Sequence, residues 1–305
     1  MGSRAKVLLM GRSGSGKTSM RSVVFASYLA RDTARLTPTL DVEHSNVRFL
    51  GGLVLSLWDC GGQHAFYDSY FSAQREHIFA GAAALIYVFD VASAEGAADL
   101  RLFAGAVEAL AQFSGSDVRL MVLLHKMDLV PAEARAPLVA ARAAAIRAAS
   151  RGLPLQLFAT SIFDESLYRA WSAIVHSLIP NVAALEGALA GLAAACDAEE
   201  VVLFERATFL VISHATRGGG GSSADAHRFE KISNIVKAFK LSCAKSKAQL
   251  RALRAGSEEC AVFIEPFTAN TIVMVVTSDE AATDEATLLN LSIAKPVFER
   301  IIAAL

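Results

Sequence analysis

A chain of 305 residues exceeds what one hydrophobic core usually sustains, about 250 to 300 residues, so two domains are expected, 1–180 and 181–305. The net charge of -1 and pI near 6.7 lack the strongly basic footprint of a nucleic-acid binder, which removes DNA and RNA as expected partners. Mean hydropathy is high at +0.40, yet it comes from alanine-rich stretches studded with Arg142 and Arg147, and no apolar run reaches the roughly 18 residues of a bilayer crossing.

The start, Met1-Gly2-Ser3-Arg4-Ala5-Lys6, shows no signal-peptide core, and Lys6 stands where a myristoylation motif wants Ser or Thr. A strand is predicted over Val7-Leu8-Leu9-Met10. It runs into Gly11-Arg12-Ser13-Gly14-Ser15-Gly16-Lys17-Thr18, a complete G-x-x-x-x-G-K-[ST] phosphate loop, with Ser19 next in the chain. Glycines let successive N–H groups curl around phosphates, Lys17 reaches their outer oxygens, and the Thr18 hydroxyl is placed to ligate Mg2+. A helix from Lys17 to Leu29 adds the positive end of its dipole. In Leu36-Thr37-Pro38-Thr39-Leu40-Asp41, Thr39 offers a hydroxyl that completes the Mg2+ shell only when a triphosphate is bound. Val47–Leu50 and Leu53–Trp58 read as a hairpin around Gly51-Gly52.

The second of those strands ends in Asp59-Cys60-Gly61-Gly62-Gln63, the D-x-x-G-Q position of a nucleotide-dependent switch. Asp59 holds Mg2+, the Gly62 N–H bonds a γ-phosphate oxygen, and Gln63 orients the attacking water. Ala84–Asp90 and Leu120–His125 are short apolar runs suited to central strands, followed by His125-Lys126-Met127-Asp128. A carboxylate there accepts two hydrogen bonds from guanine N1 and N2, while the Lys126 stem lies over the base. Strand Leu155–Thr160 precedes Ser161-Ile162, backbone donors for the guanine carbonyl. Helices are expected over Ala97–Phe113, Pro131–Ser150 and Glu165–Leu178, which completes a parallel sheet flanked by helices. An ATPase is disfavoured by Asp128 and Gln63.

Beyond Pro180 the pattern changes to a second α/β domain with an antiparallel sheet. Its expected elements are a helix at Leu185–Ala195, strands Val201–Phe204 and Thr208–His214, a Gly218–Ser223 loop, a long helix at Ala226–Leu253, strands Cys260–Phe267 and Thr271–Thr277, and a helix at Asp284–Ala304. On the long helix, Ile232, Ile235, Phe239, Cys243, Leu250 and Leu253 form an apolar stripe beside Lys237, Lys240, Lys247, Arg251 and Arg254. The expectation is a core-facing side with a solvated flank; the alternative is a docking face for an acidic partner or anionic lipid. Cys60, Cys196, Cys243 and Cys260 lack C-x-x-C spacing, which implies neither zinc nor disulfides and a reducing, cytosolic compartment. The end, Ile301-Ile302-Ala303-Ala304-Leu305, carries no prenylatable cysteine, so no direct membrane insertion is expected.

The chain resembles a Rag GTPase of the A/B type, a branch of the Ras superfamily. The resemblance rests on Leu8 to Ser22, Asp41-Val42-Glu43-His44-Ser45, Leu57 to Gln63, His125 to Leu129, Leu203 to Ser213 and His227 to Ile235. His125, where most guanine switches carry Asn, is typical of this family. The resemblance implies a Ras-like GTPase domain and a roadblock-type C-terminal domain. It further implies an obligate heterodimer with a C/D-type Rag GTPase, recruitment to the lysosomal or vacuolar surface by a scaffold complex, and a report of amino-acid sufficiency to TOR complex 1. With no arginine finger evident in cis, fast hydrolysis of GTP to GDP is expected to need a GTPase-activating protein. The alternative function is a constitutively nucleotide-loaded assembly subunit with incidental hydrolysis.

Overall fold

In a computed structural model, residues 4–26, 28–37, 39, 42–51, 53–61, 74–115, 117–217, 252–256, 261–278 and 284–304 are described, with 232, 235–237, 239, 242 and 243 between them. The described chain falls into two units, one of Arg4–Val47 and Val54–Ala170, the other of Arg48–Leu53 and the chain from Trp171 onward.

The first unit carries strands β1 (Arg4–Met10), β2 (Glu43–Arg48), β3 (Val54–Asp59), β4 (Ala82–Asp90), β5 (Arg119–His125) and β6 (Leu155–Thr160). Their order in the sheet is β2-β3-β1-β4-β5-β6. β1 pairs in parallel with β3 and β4, β4 with β5, and β5 with β6. The continuous apolar runs Leu85–Phe89 and Leu120–Leu124 are buried, as strands covered on both faces require. Helices α1 (Lys17–Phe25), α2 (Arg75–Phe79), α3 (Gly96–Phe113) and α4 (Ala132–Ala149) connect them, and α5 (Ser166–Leu178) follows β6 and runs on into the second unit. Phe103, Ala106, Val107 and Leu110 of α3 pack with Tyr87 and Phe89 of β4 in one cluster.

α1 is shorter than its expected reach to Leu29. The Ser22 carbonyl accepts from both Ala26 N–H and Tyr28 N–H, which closes the helix, and a 3-10 turn follows over Ala30–Arg35. Gly51, at φ 55°, occupies the turn after β2, where an added Cβ would lie 1.9 Å from the Ile302 carbonyl oxygen.

The second unit holds α6 (Val182–Ala195), strands β7 (Glu200–Glu205), β8 (Val211–Thr216), β9 (Leu253–Gly256), β10 (Ala261–Pro266) and β11 (Thr271–Thr277), and α7 (Asp284–Ala303). The order β8-β7-β11-β10-β9 is antiparallel at every pairing. Three expectations are corrected here. Thr208 precedes β8, because the buried Glu205 carboxylate accepts from the N–H groups of Ala207 and Thr208 and fixes a turn. Leu253 opens an edge strand against Ile264 instead of ending a helix. On the helix that the described positions between 232 and 243 trace, Val236 is buried, whereas Ile235 and Phe239 are 67% and 49% exposed. Lys237, expected on the solvated flank, is buried. Lys240, Lys247, Leu250 and Arg251 lie outside the described residues.

Candidate functional site

The loop after β1 depends on glycine at two crowded points. Gly11 has φ 139° and a Cβ there would lie 2.3 Å from the Val88 carbonyl oxygen; Gly16 has φ 95° and a Cβ there would lie 2.7 Å from the His125 ring. The loop therefore lies close against β4 and against the residue that ends β5. Gly16 is the N-cap of α1, whose first-turn N–H groups lack intrahelical partners and carry partial positive charge. They border a cleft lined by Ser13, Gly14 and Gly16 to Ser19 on one side and by Leu36, Thr37 and Thr39 on the other. Ser15 differs, since its side chain is buried and its hydroxyl has no hydrogen-bond partner among the described residues. The Lys17 ammonium is buried and donates to the carbonyl oxygens of Gly11 at 2.6 Å and Arg12 at 2.9 Å. Burial brings its pKa down to about 8. A buried cation resting on two neutral carbonyls, beside free N–H groups, suits an anion.

At one end of the cleft, three oxygens that the sequence assigns to a cation from separate parts of the chain meet. Thr18 Oγ1 lies 2.8 Å from Thr39 Oγ1 and donates to Asp59 Oδ2 at 2.8 Å. Asp59, the last residue of β3, is fully buried, and its Oδ1 has no hydrogen-bond partner among the described residues. Burial raises its pKa, against the Thr18 hydrogen bond and the positive charges of Lys17 and Arg21. Two hydroxyls and an underused carboxylate are hard oxygen donors, the set that Mg2+ shares with water and substrate phosphates. Arg21, one turn beyond Thr18, donates to Asp59 Oδ2 at 3.2 Å and to Glu43 Oε2 at 2.5 Å. Arg21 is not among the site residues expected from the motifs, because only the fold brings Asp59 and Glu43 to it. Gly62 and Gln63 lie outside the described residues.

At the other end, the Ser161 hydroxyl donates to Asp128 Oδ1 at 2.6 Å, and the Ser161 N–H is taken by Ser166 Oγ at 2.9 Å. Asp128 is exposed and so presents its remaining acceptor capacity to solvent. Lys126, at φ 67°, donates to Asp90 Oδ2 at 2.6 Å, and Ile162 is half-buried. His125 is buried between these groups and the phosphate loop, with Nδ1 2.9 Å from Thr160 Oγ1. Its pKa falls to about 4, first through burial and then through the Lys126 charge, so the ring is neutral near pH 7. These groups cluster at or beyond the carboxyl ends of β1, β3, β4, β5 and β6, where open parallel sheets place ligands.

The conserved region of Gtr1/RagA G proteins matches residues 6–236. Over 299 residues, the chain is 54% identical to Ras-related GTP-binding protein A of Dictyostelium discoideum, covering 98% of each. It is 51% identical over 296 residues to GTP-binding protein gtr1 of Schizosaccharomyces pombe, covering 97% of this chain and 96% of that protein. Similarity to Ras-related GTP-binding protein C of Mus musculus is lower, 29% over 241 residues, covering 77% of this chain and 58% of that protein.

Proposed function

This chain belongs to the Gtr1/RagA family of G proteins, and from that premise we propose that it is a GTP-binding and GTP-hydrolysing molecular switch of the A/B type. What supports the reading most directly is the placement of Thr18, Thr39 and Asp59 in one hydrogen-bonded cluster at the mouth of the phosphate loop. When bound, a guanine nucleotide with Mg2+ supplies the scissile phosphoanhydride and a divalent charge against its phosphate oxygens. The residues from Ser13 to Ser19 would hold those phosphates, with the Lys17 ammonium exchanging carbonyl partners for phosphate oxygens. Thr18, Thr39 and Asp59 would hold Mg2+, and Gln63 would orient the attacking water. Asp128, steadied by the Ser161 hydroxyl, would accept from the two guanine donors.

Loss of the terminal phosphate would release Thr39 from the Mg2+ shell and take the partner from the Gly62 N–H, shifting the population between two conformations. In its finer form, the proposal is a heterodimer with a C/D-type Rag GTPase, held peripherally at the lysosomal or vacuolar surface by a scaffold. That heterodimer relays amino-acid availability to TOR complex 1 and is reset by a GTPase-activating protein. Support for a C/D-type partner comes from the likeness to a C-type relative, which makes a pseudo-symmetric pair structurally natural.

Calorimetry on the full chain with GDP, a non-hydrolysable GTP analogue and ATP tests the binding step. Guanine nucleotides should bind and ATP should not compete. Asp128→Asn should weaken guanine nucleotides by roughly 10- to 100-fold, the worth of a charged hydrogen bond, and favour xanthine nucleotides. Absence of guanine-nucleotide binding by folded wild-type protein would overturn the proposal.

A further inference from the structure

Arg21 stands outside the motifs that identify the nucleotide site, yet it touches two carboxylates at once. From α1, its Nε donates to Asp59 Oδ2 at 3.2 Å while Nη2 donates to Glu43 Oε2 at 2.5 Å. Asp59 is fully buried at the end of β3; Glu43 opens β2, and its side chain is 52% exposed. Thr39, four positions before Glu43, reaches the same carboxylate by another route. Its hydroxyl meets Thr18 Oγ1 at 2.8 Å, and Thr18 Oγ1 donates to Asp59 Oδ2 at 2.8 Å. The stretch beginning at Thr39 and ending at Glu43 is thus fastened to Asp59 at both ends.

The two fastenings differ in what they require. The hydroxyl relay uses oxygens that the proposed cation site would itself take, so it is conditional on occupancy. The guanidinium carries its donors in a planar fork and bridges Asp59 to Glu43 without using either threonine. It also compensates the charge of a buried carboxylate, which left alone would be costly.

Resting on the nucleotide-binding reading above, we propose that Arg21 is a positioning residue: it holds the end of the Thr39–Glu43 stretch on Asp59, so that Thr39 is delivered to a triphosphate-occupied site. It touches no nucleotide and acts through Asp59 and Glu43. Triphosphate binding, which uses Thr39, should depend on Arg21 more than diphosphate binding does.

The test compares dissociation of fluorescently labelled GDP and of a labelled, non-hydrolysable GTP analogue from full-length wild type, R21Q, E43A, E43Q and R21Q/E43A. R21Q should release the triphosphate about tenfold faster and change diphosphate release by less than about threefold, a coupling of ordinary allosteric size. E43A should act in the same sense by only about threefold, because that limb is half exposed, and E43Q should restore wild-type release because an amide oxygen still accepts. The double variant should match R21Q alone. Equal acceleration of both nucleotides by R21Q, additivity in the double variant, or no difference between E43A and E43Q would each overturn the proposal. Thermal unfolding of the nucleotide-free variants reports whether R21Q folds; if it does not, the contrast of E43A with E43Q decides. Wild-type protein that retains neither labelled nucleotide would overturn the reading on which this proposal rests.

Discussion

At the scale of single residues, two buried titratable groups link the site to pH. His125 sits between Thr160 and Gly16 with its pKa lowered to about 4 from the ordinary 6.5. Its unfolded form binds a proton first as pH falls, so stability is lost as pH drops from 6.5 toward 4. With about 1.36 kcal/mol per pKa unit, the full window carries at most about 3 kcal/mol. His125→Asn should remove most of that slope, measured by urea unfolding of nucleotide-free protein at successive pH values; an unchanged slope would show that another group carries it. Lys17, lowered to about 8 by burial, acts in the opposite pH range. Its folded state favours the neutral amine, so nucleotide-free protein should gain stability as pH rises from about 8 toward the ordinary lysine range, and Lys17→Met should flatten that gain.

At the scale of elements, the phosphate loop separates backbone conformation from packing. Gly14 and Gly16 both have positive φ, 77° and 95°, but a Cβ at Gly14 meets nothing within 4 Å whereas one at Gly16 lies 2.7 Å from His125. Gly14→Ala should cost about 1 kcal/mol, the backbone penalty alone. Gly16→Ala should cost more and also impair nucleotide binding, because the ring that ends β5 must move. Comparable unfolding midpoints for the two variants would contradict this. The loop itself was legible because its chemistry depends on local spacing. The orientation of the helix spanning 232 to 243 was not: Ile232, Ile235 and Phe239 satisfy one helical spacing and Ile232 with Val236 another, and only packing against Val202, Phe204 and Met274 selects the second. Likewise, Thr208 has strand-like neighbours, but Glu205 binds its N–H and hydroxyl and holds it in a turn.

For the whole molecule, the functional question is whether the γ-phosphate changes partner affinity. A switch requires differential binding, since a ligand with equal affinity for both states shifts neither. Affinity for a C/D-type partner, a scaffold or a TOR complex 1 subunit, measured with GTP-loaded and GDP-loaded chain, should differ by about tenfold or more for at least one of them. Equal affinities throughout would favour the assembly-subunit alternative.

Sequence by itself determined the phosphate loop, the Asp59 and Asp128 positions, the near-continuous apolar strands β4 and β5, and the change to an antiparallel domain, because each is written in neighbouring residues or in a short period. Tertiary structure alone decided which distant groups meet: Ser161 with Asp128, Gly16 with His125, Arg21 with Asp59 and Glu43, and Gly51 with Ile302. The first three follow from the strand order β2-β3-β1-β4-β5-β6, which sets chain segments far apart in sequence side by side, and the last from the packing of α7 in the second unit. Hydrogen bonds and van der Waals contacts act over a few ångströms, so no spacing along the chain could have shown them.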